Sequence, residues 1–149
     1  MTASPLTLGR LGGNISKNDK PLCFYIINGG NLIKKVNRKT KALVIAAAKL
    51  AGERHCTDIV ALDMRKVSQV TDYFLILTGT SDRQMRSVAE EITALAKKKD
   101  LPLFGRAGFE QGRWVLLDFV DVVVHVFDTQ SRKYYDLEML WGDAKRLKI

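Results

Sequence analysis

The sequence predicts an α/β domain over residues 38–149, a four-stranded mixed sheet packed with helices. Three observations predict it. Apolar residues recur at helical spacing in three stretches, around residues 43–50, 85–96 and 134–144. Four short runs rich in branched and aromatic residues lie between those stretches. The resulting order is helix, two strands, helix, two strands, helix, which two layers can accommodate around one core.

The elements follow in turn. Leu43, Ala46, Ala47 and Leu50 share a helical face, and Gly52 sits where that helix should stop. Thr57 to Met64 alternates weakly and reads as a strand. Asp72 to Thr78 (DYFLILT) is almost continuously apolar, the pattern of a central strand buried on both faces. After Gly79, Ser81 and Gln84 stand at capping-box spacing. Met85, Val88, Ala89, Ile92, Leu95 and Ala96 then form one apolar stripe, with Lys97 to Lys99 at the negative end of the helix dipole. Gly105, Gly108 and Gly112 mark 101–112 as a loop. Arg113 to Phe119 and Asp121 to Phe127 have almost nothing between them and should pair as a tight antiparallel hairpin. Tyr134, Leu137, Leu140, Trp141 and Ala144 make a last helical stripe.

Charge divides the chain at the same place as the pattern. The whole sequence of 149 residues carries +8. Residues 1–40 hold seven basic residues and one acid, a net +6, which leaves +2 for the remainder. All five asparagines also lie in the first 40 residues. Residues 1–37 therefore read as a basic, poorly ordered extension with one sticky segment, Leu22 to Ile27. A secretory signal fits badly, because that apolar run is six residues long and follows Pro21. An organelle transit peptide and a start placed too far upstream both stay open. No apolar run approaches the ~18 residues of a membrane span. Two cysteines, Cys23 and Cys56, make no disulfide framework, and a reducing compartment is expected.

Few residues offer chemistry. Asp118 and Asp121 flank the hairpin turn and, with Mg²⁺, would be the acids of a nucleotidyl- or phosphotransferase. That chemistry usually takes two acids at i and i+2 on one strand face, whereas these are three apart across a turn. Turn solvation is the favoured role. Gly79-Thr80-Ser81 lacks the further glycines and the Lys of a phosphate loop, so capping suits it better. His125 lies mid-strand among valines as a structural histidine, and His55-Cys56 has no second pair at metal spacing. Trp114 opens its strand on the face shared by Leu116 and Asp118, near Tyr135 and Glu138. An exposed aromatic among charges has the composition of a protein-binding hot spot. Burial of Trp114 beneath the 101–112 loop is an equal alternative.

The segments TDIVALDM, TDYFLILTGTSDRQ, GRWVLLDFVDVVVHVF and SRKYYDLEMLWGDA, in that order, resemble the ribosomal silencing factor (Iojap-related) family over residues 38–149. The resemblance implies a nucleotidyltransferase-like fold without the catalytic acids. It also implies a non-enzymatic translational repressor, without cofactor or small-molecule substrate, acting in the cytoplasm. Such a protein binds the large ribosomal subunit at its fourteenth protein and blocks joining of the small subunit when nutrients are short. The family's contact Trp and Tyr match Trp114 and Tyr135, and Asp118, Asp121 and Glu138 match weaker motif positions. Acids there would suit a basic ribosomal protein. The basic extension adds an expected nonspecific contact with ribosomal RNA. One departure stands out. Ala107-Gly108 replaces the family's Glu-Gly pair, with Glu110 as the expected substitute partner.

Overall fold

The computed structural model describes Tyr25–Asn28, Asn31–Lys34 and residues 38–149. The chain divides into two units, Met1–Arg38 and Lys39–Ile149. In the first unit, β1 (Tyr25–Asn28) and β2 (Asn31–Lys34) pair antiparallel, with Asn28 opposite Asn31. The expected poorly ordered extension otherwise lies outside the described residues.

The second unit is built on a six-stranded sheet. Its elements are α1 (Arg38–Glu53), β3 (Thr57–Asp63), β4 (Tyr73–Thr78), α2 (Asp82–Lys98), β5 (Gly105–Ala107), β6 (Trp114–Asp118), β7 (Val122–Phe127), α3 (Thr129–Tyr135), α4 (Leu137–Leu140) and β8 (Lys145–Arg146). The strand order is β5-β6-β7-β4-β3-β8. Only β4 and β7 run parallel, and the other pairings are antiparallel. The four expected strands are therefore the inner four of six. The two additions are edge strands of three and two residues, too short to show a period in the sequence. β5 arises inside the expected loop because Arg106 and Ala107 pair with Leu117 and Leu116.

All six residues of β4 and all six of β7 are buried, as central strands covered on both faces require. One face carries Tyr73, Leu75, Leu77, Val122, Val124, Val126, Val115 and Leu117 against Leu43, Val44, Ala47 and Ala51 of α1 and Met85, Val88, Ala89 and Ile92 of α2. The opposite face carries Phe74, His125, Phe127 and Leu116, and Trp141 meets Phe74 edge-on at 6.0 Å.

The capping of α2 follows the expected spacing with one change. Ser81 Oγ accepts from the Gln84 N–H at 3.2 Å, but Gln84 Oε1 accepts from the Thr80 N–H at 2.6 Å. Gln84 Nε2 also donates to the Arg54 carbonyl at 2.7 Å, tying the end of α1 to the start of α2. Arg54 reaches Glu91 of α2 as well, and Lys39 at the other end of α1 pairs with Asp100 just beyond α2. The two helices therefore lie antiparallel.

The final helical stripe is two short helices rather than one. Asp136 adopts a left-handed backbone (φ 38°), ends α3 by donating its N–H to the Arg132 carbonyl, and caps α4 by accepting from the Met139 N–H. The break shifts the helical phase. Leu137 and Ala144 stay buried, but Tyr134 and Leu140 turn outward, at 81% and 59% exposure.

Gly108 sets where β6 begins. It has φ +81°, and a Cβ there would lie 1.8 Å from the Trp114 carbonyl oxygen. Gly108→Ala should therefore lower stability by roughly 2–4 kcal/mol in urea denaturation. A midpoint like that of the parent would contradict this close approach.

Candidate functional site

The start of β6, the end of β7 and the α3–α4 corner meet at one place. Register puts Trp114 opposite Phe127, and the first residue of α3 lies two positions further on. The Trp114 ring stacks on Phe127 at 5.0 Å and lies 4.6 Å from the ring of Tyr135. Tyr134 meets Tyr135 edge-on at 5.0 Å. Phe127 is fully buried, Trp114 is half-buried, and Tyr135 is 46% exposed, so the cluster runs from the core to the surface. Tyr134 extends it outward at 81% exposure, and Met139 and Leu140 of α4 are exposed as well, at 80% and 59%. An apolar cluster of this kind costs free energy in water and gains it when a partner covers it.

A hydrogen bond fixes the indole. Trp114 Nε1 donates to His125 Nδ1 at 3.2 Å. His125 must then be neutral with its proton on Nε2, because a proton on Nδ1 would face the indole N–H. Nε2 is buried and has no partner. Burial, and secondarily the positive charge of Arg132, push the histidine's pKa down to about 3. His125 is thus a structural histidine whose acceptor nitrogen orients Trp114.

Arg132 fastens the corner. Its Nη1 donates to Thr78 Oγ1 at the end of β4 at 3.0 Å, and its Nε donates to Glu138 Oε1 at 2.9 Å. One mostly buried guanidinium therefore joins the sheet, α3 and α4. The two helices on either side of Asp136 are held at the angle that turns Tyr134, Tyr135, Met139 and Leu140 outward.

Of the residues singled out from sequence, Trp114 and Tyr135 come together, and the loop 101–112 leaves the Trp114 ring in contact with Tyr135. Glu138 lies at the same corner but spends its carboxylate on Arg132. Asp118 and Asp121 do not reach this surface. They are buried at the far end of β6, about 13 Å along the strand from Trp114. There Asp118 Oδ1 accepts from the Val120 N–H at 2.7 Å, supporting a valine with φ 71°. The Asp121 carbonyl accepts from the N–H groups of Asp72 and Tyr73. These are turn and strand-end roles. Among the described residues no group of three or more His, Cys, Asp or Glu is arranged to hold a metal ion. Glu110 contributes its carbonyl, which accepts from Arg86 Nη2 at 3.2 Å. The only sequence signal for the Trp114–His125 bond is the hairpin register, which sets both residues on one strand face. Met139 and Leu140 were hidden by the assumption of one continuous helix.

The histidine gives a pH dependence. Its folded pKa lies below the ordinary value of about 6.5, so the unfolded chain takes the proton first as pH falls. The stability it contributes is complete above that ordinary value and declines steadily below it. Between pH 7 and pH 5 the loss should be about 2 kcal/mol. His125→Gln should lack that component. Equal pH slopes for the two proteins in urea denaturation would contradict the neutral, buried state.

Comparison with known proteins gives the family. The family model described as "Ribosomal silencing factor during starvation" matches residues 37–149. A ribosomal silencing factor from Bacillus subtilis is 46% identical over 104 residues, 70% of this chain and 88% of the relative. The chloroplastic protein Iojap of Zea mays is 32% identical over 108 residues, 72% of this chain and 47% of that protein. Among solved structures, one from Chromobacterium violaceum is 34% identical with a TM-score of 0.66, covering 69% of this chain and 86% of that one. With the family model matched over residues 37–149 and a relative 46% identical, the chain belongs to the ribosomal silencing factor family.

Proposed function

We propose that this protein represses translation, without catalysis, by binding the large ribosomal subunit at its fourteenth protein and blocking access of the small subunit when nutrients are short. The observation that carries the reading is the Trp114–Tyr135 pair with Tyr134 exposed beside it. Aromatic side chains half-set into a rigid sheet are pre-ordered anchors that lose little entropy on binding. A relative from Mus musculus, 27% identical, is named "Mitochondrial assembly of ribosomal large subunit protein 1", which points to the same subunit. On this reading Trp114 and Tyr135 contact the partner, and Glu138 acts through Arg132 by holding the corner. Asp118 and Asp121 serve the turn of a nucleotidyltransferase-like sheet that has no catalytic use for them. The protein works in the cytoplasm, and its basic extension adds a nonspecific contact to ribosomal RNA.

The purified protein should co-sediment with large subunits and lower subunit joining in vitro. Tyr135→Ala, alone and with Trp114→Ala, should weaken that binding by about 2 kcal/mol or more, roughly 30-fold. A folded double variant that co-sediments as well as the parent removes this surface from the account.

A further inference from the structure

Two of the domain's basic runs are separate in sequence and adjacent in space. Lys39 and Lys41 lie in the first turn of α1, and Lys97, Lys98 and Lys99 end α2. The antiparallel packing of the helices brings these turns to one end of the domain, where Lys39 Nζ meets Asp100 Oδ2 at 3.1 Å. Lys39, Lys41, Lys97 and Lys98 are exposed, and Asp100 is the acid between the two runs. In the sequence, Lys34, Lys35 and Arg38 precede Lys39 with no acid among them.

The charges of α1 oppose its own dipole. Its first turn has no acid and holds Arg38, Lys39 and Lys41, while its last residue is Glu53. Cations at the positive end of a helix repel it by a few tenths of a kcal/mol each. α2 shows the stabilising arrangement, with Asp82 in its first turn and Lys97 and Lys98 in its last. A helix that carries such an unfavourable pattern beside a second basic run is suited to a dense anion.

We propose that this basic end of the domain is an RNA-phosphate contact, on a different side chain set from the aromatic surface. The inference rests on the ribosome reading, since the large subunit presents RNA backbone around its proteins. A duplex fits because it offers regularly spaced phosphates to lysines distributed over two helix ends. A lipid surface fits less well, because insertion wants large apolar side chains among the cations, and neither the first turn of α1 nor the last turn of α2 exposes one.

The test uses the full chain and a labelled RNA duplex of about 20 base pairs, followed by anisotropy across a salt series. Replacing Lys97, Lys98 and Lys99 together by Gln should weaken RNA binding about tenfold and reduce the salt slope by about 1 per lysine. Lys39→Gln with Lys41→Gln should act in the same direction. A control with Lys49, Arg83 and Arg113 changed to Gln, of equal net charge and exposed toward the opposite end of the domain, should lose less than about threefold. Tyr135→Ala should keep RNA affinity, so failure of the aromatic surface in co-sedimentation is read separately. Circular dichroism confirms that each variant is folded. Parent-like RNA affinity in the Lys97–Lys99 variant overturns the proposal, as does equal loss in the control. Tighter binding to phosphatidylglycerol vesicles than to RNA at the same salt overturns it in favour of a membrane.

Discussion

A neutral histidine buried in the central hairpin determines how the exposed face of this protein is presented. His125 cannot readily take a proton where it sits, so its Nδ1 remains an acceptor and the Trp114 indole N–H has one place to go. That bond orients the indole, the indole supports Tyr135, and Tyr135 carries the cluster to the surface. Removing the hydrogen bond would leave the buried His125 Nδ1 and the half-buried indole N–H without each other and the ring free to turn. The surface is therefore rigid from beneath, which is the condition for a few aromatic side chains to dominate binding.

The second determinant is the break at Asp136. A continuous helix would have kept Tyr134 and Leu140 on one face with the buried Leu137. The left-handed residue turns the chain, and Arg132 fixes the angle of the turn by joining Thr78 to Glu138. The large apolar residues at this corner are thus accounted for by the same few bonds that close the second face of the sheet.

Much of the fold was legible in the sequence, because β4, β7 and α2 carry long, unambiguous periods and their pairing follows from the hairpin. The edge strands β5 and β8 were not, since two or three residues have no period and pair only because β6 and β3 offer them an edge. The last stripe divides into two helices although Tyr134, Leu137 and Leu140 keep helical spacing across Asp136, because backbone conformation at one residue overrides spacing. At the site, Trp114 and Tyr135 were legible from composition and resemblance. The role of His125 required the register of Leu116 against it, and that of Arg132 required tertiary contacts with no local signal. Charge behaved similarly. A domain total near neutrality hid a basic end that exists only once α1 and α2 are packed antiparallel.

The central claim is that the Tyr134–Tyr135 corner meets the fourteenth protein of the large subunit. The most direct measurement places a photo-crosslinking phenylalanine analogue at Tyr134, which is 81% exposed, and identifies what it captures on purified large subunits by mass spectrometry. The account predicts that the fourteenth large-subunit protein dominates the crosslinks, and that the same group placed at Lys66 captures it far less. Crosslinks from Tyr134 to other components, with the fourteenth protein absent, would contradict it.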